Sequence, residues 1–153
     1  MTHAEIIQII TGFIGSLGFA VLFNVRGKKM AFAALGGLLS WAMFVSLGFV
    51  IANEPVRYFI VAASISLYAE VMARILRTPT TTFIMTALIP LIPGGSLYYT
   101  MAYALESDLT RFMDKGIYTL ELALALALGV IIASAAIKTV LRLPTAKSNN
   151  RND

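Results

Sequence analysis

The sequence has no cysteine and one histidine, His3, at the extreme N-terminus. The first absence excludes disulfides and thiolate-metal sites, and it leaves the redox character of the compartment unreadable. The second leaves a transition-metal centre with few ligands; a terminal histidine is expected to be an exposed residue, not a ligand or a base. Charge is also scarce: 13% of the 153 residues are Asp, Glu, Lys or Arg, against about 25% in a soluble domain. No phosphate-cradling GxxxxGK[ST] occurs, and none of Ser16, Ser40, Ser46, Ser64, Ser66 or Ser134 has a recognisable base beside it. No enzymatic activity, metal or cofactor is expected.

What is present is apolar. Hydrophobic residues make up 58% of the chain, and its mean hydropathy is +0.80. The expected class is an all-α polytopic membrane protein. Five apolar runs, about 6–23, 30–52, 58–76, 80–105 and 117–141, fill one transmembrane domain over residues 1–144, with no room for a separate soluble enzyme domain. The alternation "LALALALG" at Leu122–Gly129 resembles a strand's period of two, but Leu and Ala are strong helix formers and the run is far longer than a strand.

The pI near 9.6 reflects charge placement, not nucleic-acid binding. Nine of the 12 basic residues follow runs one, three and five or lie just inside their ends: Arg26, Lys28, Lys29, Arg74, Arg77, Lys138, Arg142, Lys147 and Arg151. The opposite ends hold Arg57, Arg111 and Lys115 among the acids Glu5, Glu54, Glu106, Asp108, Asp114 and Glu121. The positive-inside rule then predicts an external N-terminus and a cytoplasmic C-terminus. No Lys or Arg precedes the first run, so it is expected to stay as an anchor and not to be cleaved as a signal peptide. Residues 145–153, "TAKSNNRND", read as a disordered basic cytoplasmic tail that contacts anionic headgroups.

The fourth run is interrupted. "IPLIPGGSLYYT", residues 89–100, holds Pro90, Pro93, Gly94 and Gly95 inside an uncharged stretch of 28 residues, Thr78–Leu105. As one helix that stretch would extend about 42 Å, beyond a hydrocarbon core of about 30 Å. Pro90 cannot bond the carbonyl of Thr86, nor Pro93 that of Ile89. Gly94-Gly95-Ser96 then starts a second half-helix whose free N–H groups and positive dipole end suit a carboxylate. Irregular backbone survives at membrane depth only where protein or a watery cavity receives it. The interruption is therefore either a substrate site of the kind discontinuous helices form in secondary transporters, or a kink that serves packing.

Glu70 and Arg74 are a second constellation. Four residues apart on one helical face, they make either a local ion pair or, through Glu70, a proton carrier within the membrane. Tyr68, Tyr98, Tyr99 and Tyr103 are either interfacial and packing residues or hydroxyl donors along a pathway. The candidate substrate-binding residues are thus Pro90, Pro93, Gly94, Gly95, Ser96, Tyr98 and Tyr99, with Glu70 and Arg74 as the proton-coupling or ion-pair residues. Small-residue stripes (Gly12, Gly15, Ser16 and Gly18; Ala33, Gly36, Gly37 and Ser40; Gly129, Ala133 and Ala136) predict close helix contact without naming the partner, which leaves a homo-oligomer and a hetero-complex open.

"GFAVLFNV", "GGLLSW" at Gly36–Trp41, "YAEVMARILRTP" at Tyr68–Pro79 and above all "IPLIPGGSLYYTM" resemble the small subunit of the threonine/serine exporter family, in order and spacing over roughly residues 12–140. Relatives often have proline where this chain has Arg26. The resemblance implies a multi-pass protein of a bacterial-type cytoplasmic (inner) membrane that works with a larger exporter subunit. It also implies proton-coupled export of small amino or carboxylic acids: threonine, serine or, in one branch, succinate. A unit with an odd number of spans, joined in tandem to another, gives the inverted repeat of alternating-access carriers, so five spans make half a carrier. A homo-oligomeric pore and a structural membrane subunit are the alternatives.

Overall fold

Asn53-Glu54-Pro55 shows how the helix ends are set. The Asn53 side chain accepts the Val56 N–H at 3.2 Å and proline occupies the first turn, so a helix starts at Glu54, four residues before the apolar run itself. A computed structural model describes residues 3–142 of the chain. It consists of α1 (His3–Leu22), α2 (Lys28–Gly48), α3 (Glu54–Ile75), α4 (Thr80–Leu88), a 3₁₀ turn at Ile89–Leu91, α5 (Gly94–Leu105) and α6 (Leu109–Arg142). α1, α2, α3 and α6 are each long and apolar enough to cross a membrane; α4 with its turn and α5 pass together as a fifth candidate span bent by 58°. The all-helical architecture with an interrupted fourth run is therefore the one the chain adopts. The tail at 145–153 lies outside the described residues.

α6 starts eight residues before the expected Ile117. Asp108 explains the difference: its carboxylate accepts the Arg111 N–H at 3.1 Å and pairs with the Arg111 guanidinium at 3.4 Å, which caps the first turn. Charge bounds the apolar run there, yet charge alone does not end a helix. α2 in turn stops at Gly48, short of the expected 52.

Three turns share one geometry. Val25, Thr78 and Asp108 each donate their N–H to a carbonyl five residues back, while Asn24, Arg77 and Ser107 take positive φ values of 56°, 48° and 59°. This is the Schellman ending, built three times without the usual glycine.

α3 lies at the centre, packed on α6, α2 and α4. Two apolar clusters stack along it. One joins Phe44, Tyr58, Val61, Ile65, Ala87, Leu91 and Leu122 at the end where α3 begins. The other joins Ala20, Val25, Ala33, Ala69, Ala73 and Phe83 at the end where the basic turns lie. The predicted small-residue stripes resolve into particular seams. Ser16 of α1 is wholly buried against α2, where a Cβ on Gly37 would meet its Oγ at 1.8 Å. Gly36 meets Ala87, and Gly129 lets α6 approach the Phe59 carbonyl of α3 so closely that a Cβ would lie 2.5 Å from it. Gly15 and Gly18 meet nothing within 4 Å. They share the outer side of α1 with the exposed Ile10 and Ile14, as α6 exposes Leu124, Leu128 and Ile131; in a bilayer such faces meet lipid tails or another protein.

Candidate functional site

The interruption is built by its prolines. Without N–H groups at Pro90 and Pro93, α4 ends at Leu88 and tightens into the 3₁₀ turn, where the Ile92 N–H bonds the Ile89 carbonyl at 3.2 Å. The carbonyl expected to be left open at Ile89 is therefore re-bonded locally, which corrects its assignment as a free acceptor. Pro93, at φ −74° and ψ 54°, then makes an inverse γ-turn, and the Gly94 N–H reaches the Ile92 carbonyl at 2.6 Å. α5 begins at Gly94, as its glycine pair predicts, and its first helical bond runs from the Leu97 N–H to the Pro93 carbonyl at 3.0 Å. The N–H groups of Gly95 and Ser96 find no acceptor among the described residues. Two bare donors and the positive end of a 12-residue helix thus coincide.

These donors border a cavity of ≈ 340 Å³, room for on the order of ten waters at about 30 Å³ each. Pro90, Ile92, Pro93, Gly94, Gly95, Ser96 and Tyr99 form one wall. Trp41 of α2, Glu54 and Tyr58 of α3, and Lys115, Tyr118 and Leu122 of α6 form the others. Gly12 of α1 lies over Trp41 and Pro90, where a Cβ would sit 3.4 Å and 3.7 Å from their side chains, and helps hold them together from behind.

The polar groups of the cavity are of both signs. Glu54 accepts the phenolic hydrogen of Tyr118. The Lys115 ammonium lies 5.0 Å over the Tyr118 ring, and the Arg57 guanidinium, just outside the cavity wall, lies 4.7 Å over Phe44. The indole N–H of Trp41 is buried without a partner, as is Nε of Arg57. Trp41 itself stacks on Phe44 at 5.3 Å, which fixes the indole plane. The Ser96 hydroxyl is engaged by Thr119 at 2.7 Å, and Thr100 lies 3.1 Å from the same Thr119 oxygen, so these hydroxyls tie α5 to α6 at the cavity's edge.

Six of the seven residues picked from the sequence for this site border the cavity: Pro90, Pro93, Gly94, Gly95, Ser96 and Tyr99. Tyr98 does not; it is 68% exposed and packs edge-on against Tyr99 at 5.5 Å. Glu70 and Arg74 do not border it either. They pair at 3.1 Å, with the Glu70 side chain 8% and the Arg74 side chain 47% exposed. Glu70 lies sixteen residues along α3 from Glu54, about 24 Å at 1.5 Å per residue. Trp41, Glu54, Tyr58, Lys115, Tyr118 and Leu122 escaped the sequence reading. The one available signal is that Glu54 and Lys115 lie at the same ends of their runs as the interruption's second half.

A polar cavity beside a broken helix, inside a multi-pass helical bundle, is the architecture of a membrane transport protein. The Threonine/Serine exporter, ThrE family matches residues 8–136, and the chain belongs to that family. It is an exporter family, not an enzyme family. No curated protein and no solved structure matches the chain. The expected resemblance is thereby established at the level of the family.

Proposed function

We propose that the protein is a membrane subunit of a proton-coupled exporter in which the cavity at the interrupted fourth span seats the amino acid, threonine or serine. The observation that carries this reading is that Gly95 and Ser96, whose N–H groups find no acceptor among the described residues, line a cavity that Lys115 and Glu54 also line. The substrate carboxylate rests on the two N–H groups, with Lys115 in the same cavity. The ammonium lies towards Glu54. A dicarboxylate such as succinate would face Glu54 with its second negative charge, which favours the amino acid over the succinate branch. Tyr99 closes the wall; Tyr98, turned outward, meets lipid or another subunit.

The chain sits in a bacterial-type cytoplasmic membrane with its N-terminus outside; the nine basic residues at the opposite turns and the C-terminus support that orientation. It works with a larger exporter subunit. The apolar outer faces of α1 and α6, with Gly15 and Gly18 open on the first, support a protein neighbour there. Glu70 and Arg74 act as an ion pair at the cytoplasmic end.

The test uses the absence of native cysteine. A side chain at Gly95 would meet nothing within 4 Å, so Gly95→Cys fits the fold. It should react with a membrane-impermeant thiol reagent, and threonine should slow the reaction. A thiol at 95 that reacts at the same rate with and without threonine, serine or succinate would remove the site.

A further inference from the structure

We propose that Glu54 is the shared seat of the substrate's ammonium group and of the coupling proton; the proposal rests on reading the cavity as the substrate site. Glu54 is the one acidic side chain bordering that cavity among the described residues. Its Oε2 takes the Tyr118 hydrogen bond, and Oε1 has no partner among the described residues. Two cations lie close, yet neither forms a salt bridge with it: Lys115 is held over the Tyr118 ring and Arg57 over the Phe44 ring. The carboxylate is thus oriented by a neutral donor and left open to a third cation.

The charged and titratable groups around it are few. α6 contributes Tyr118 and Lys115, α5 contributes Tyr99, and α3 itself contributes Arg57 and Tyr58; α2 presents only the indole of Trp41 on this side. An ionised, empty Glu54 holds only the Tyr118 hydrogen bond and no salt bridge, which is costly whenever the cavity is shut off from water. An ammonium or a proton removes that cost, and one carboxylate cannot satisfy both. The transporter therefore changes face only when loaded, with amino acid in one direction and a proton in the other. In one cycle a zwitterion leaves, displacing the proton from Glu54 to the cytoplasm, and a proton taken from outside displaces the substrate. One amino acid moves out for one proton in, and one positive charge crosses per turnover. By linkage, zwitterion binding weakens as pH falls below the carboxylate's own titration, approaching about tenfold per pH unit.

The experiment reads threonine protection of Gly95→Cys against pH, using the full chain in inverted vesicles of the native membrane. In the otherwise unaltered chain, the threonine concentration for half-protection should rise as pH falls. Adding Glu54→Gln should raise that concentration about tenfold or more and flatten its pH dependence, whereas Glu121→Gln, on the exposed side of α6, should leave both as they were. Tyr118→Phe, which keeps the carboxylate and removes the hydrogen bond that orients it, should raise the half-protecting threonine concentration several-fold and keep its rise as pH falls; this variant decides the matter if Glu54→Gln fails to accumulate, since a Tyr118→Phe protein with the parent's half-protecting concentration overturns the inference. A pH profile that Glu54→Gln leaves unchanged, or that Glu70→Gln abolishes in its place, overturns the inference while the cavity stands. Failure of threonine to protect Gly95→Cys at any pH removes the cavity reading, and the inference with it.

Discussion

Gly37 and Gly95 both lie in helices of the membrane bundle, and an added methyl would meet opposite fates at the two. At Gly37 it would strike the Ser16 hydroxyl at 1.8 Å; at Gly95, as at Gly94, nothing lies within 4 Å. The seams of α1 on α2 and of α3 on α6 use glycine to bring backbones together. The interruption uses it to leave a helix terminus uncovered. The same contrast separates two carboxylates on one helix. Glu70 is buried and satisfied by Arg74 within the Ala-rich end of the bundle, whereas Glu54, at the other end of α3, holds a phenol and no cation. Glycine content and membrane acids therefore carry no functional meaning by themselves; what each one faces decides.

Four substitutions probe that contrast, in descending order of expected effect. Gly129→Val should be the most damaging, because the clash is with the Phe59 carbonyl, which belongs to the backbone and cannot swing aside; about 3 kcal/mol of stability should be lost, at the upper end of what overpacking costs, and detergent-solubilised protein should melt correspondingly earlier. Gly95→Val should do the reverse, melting as the parent does but losing export. Charge-assisted hydrogen bonds are worth about 1.5–3 kcal/mol each, so covering this terminus should weaken threonine binding about tenfold or more in a counterflow assay. If instead Gly95→Val destabilised the fold and spared transport, the distinction between seam and site would fail.

Arg74→Ala should cost about 1–2 kcal/mol, because it leaves the buried Glu70 unpaired, an effect reduced by the half-exposed position of the arginine. Threonine protection of a cysteine at 95 should be unaffected. Ser107→Gly should give the smallest change and of opposite sign, a gain of about 0.5–1 kcal/mol in a melting experiment, since a residue at φ 59° pays a left-handed penalty that glycine does not.

The interruption was legible in the sequence because its causes are local: two prolines without N–H groups and two glycines act on the backbone wherever they stand. The five runs were legible for a similar reason, since bilayer thickness sets their length. What could not be read was convergence. Glu54 and Lys115 are 61 positions apart, and only the packing of α3 on α6 sets both against the glycines of α5. In the sequence each counts only among the charges that set orientation, and nothing local marks it as part of a site. Ile89 shows the converse error: its lost partner was inferred correctly from Pro93, but the 3₁₀ turn supplied another in the Ile92 N–H. α6 begins eight residues before its apolar run because charge bounds the run, whereas the cap at Asp108 decides where the helix begins.

The most direct measurement compares the reaction of a membrane-impermeant thiol reagent at Gly95→Cys with that at Ala87→Cys, a wholly buried position one turn before the interruption. A wet, substrate-lined gap predicts rapid modification at 95 that threonine suppresses, and none at 87. Equal silence at both positions, or modification at 95 indifferent to threonine, would contradict it.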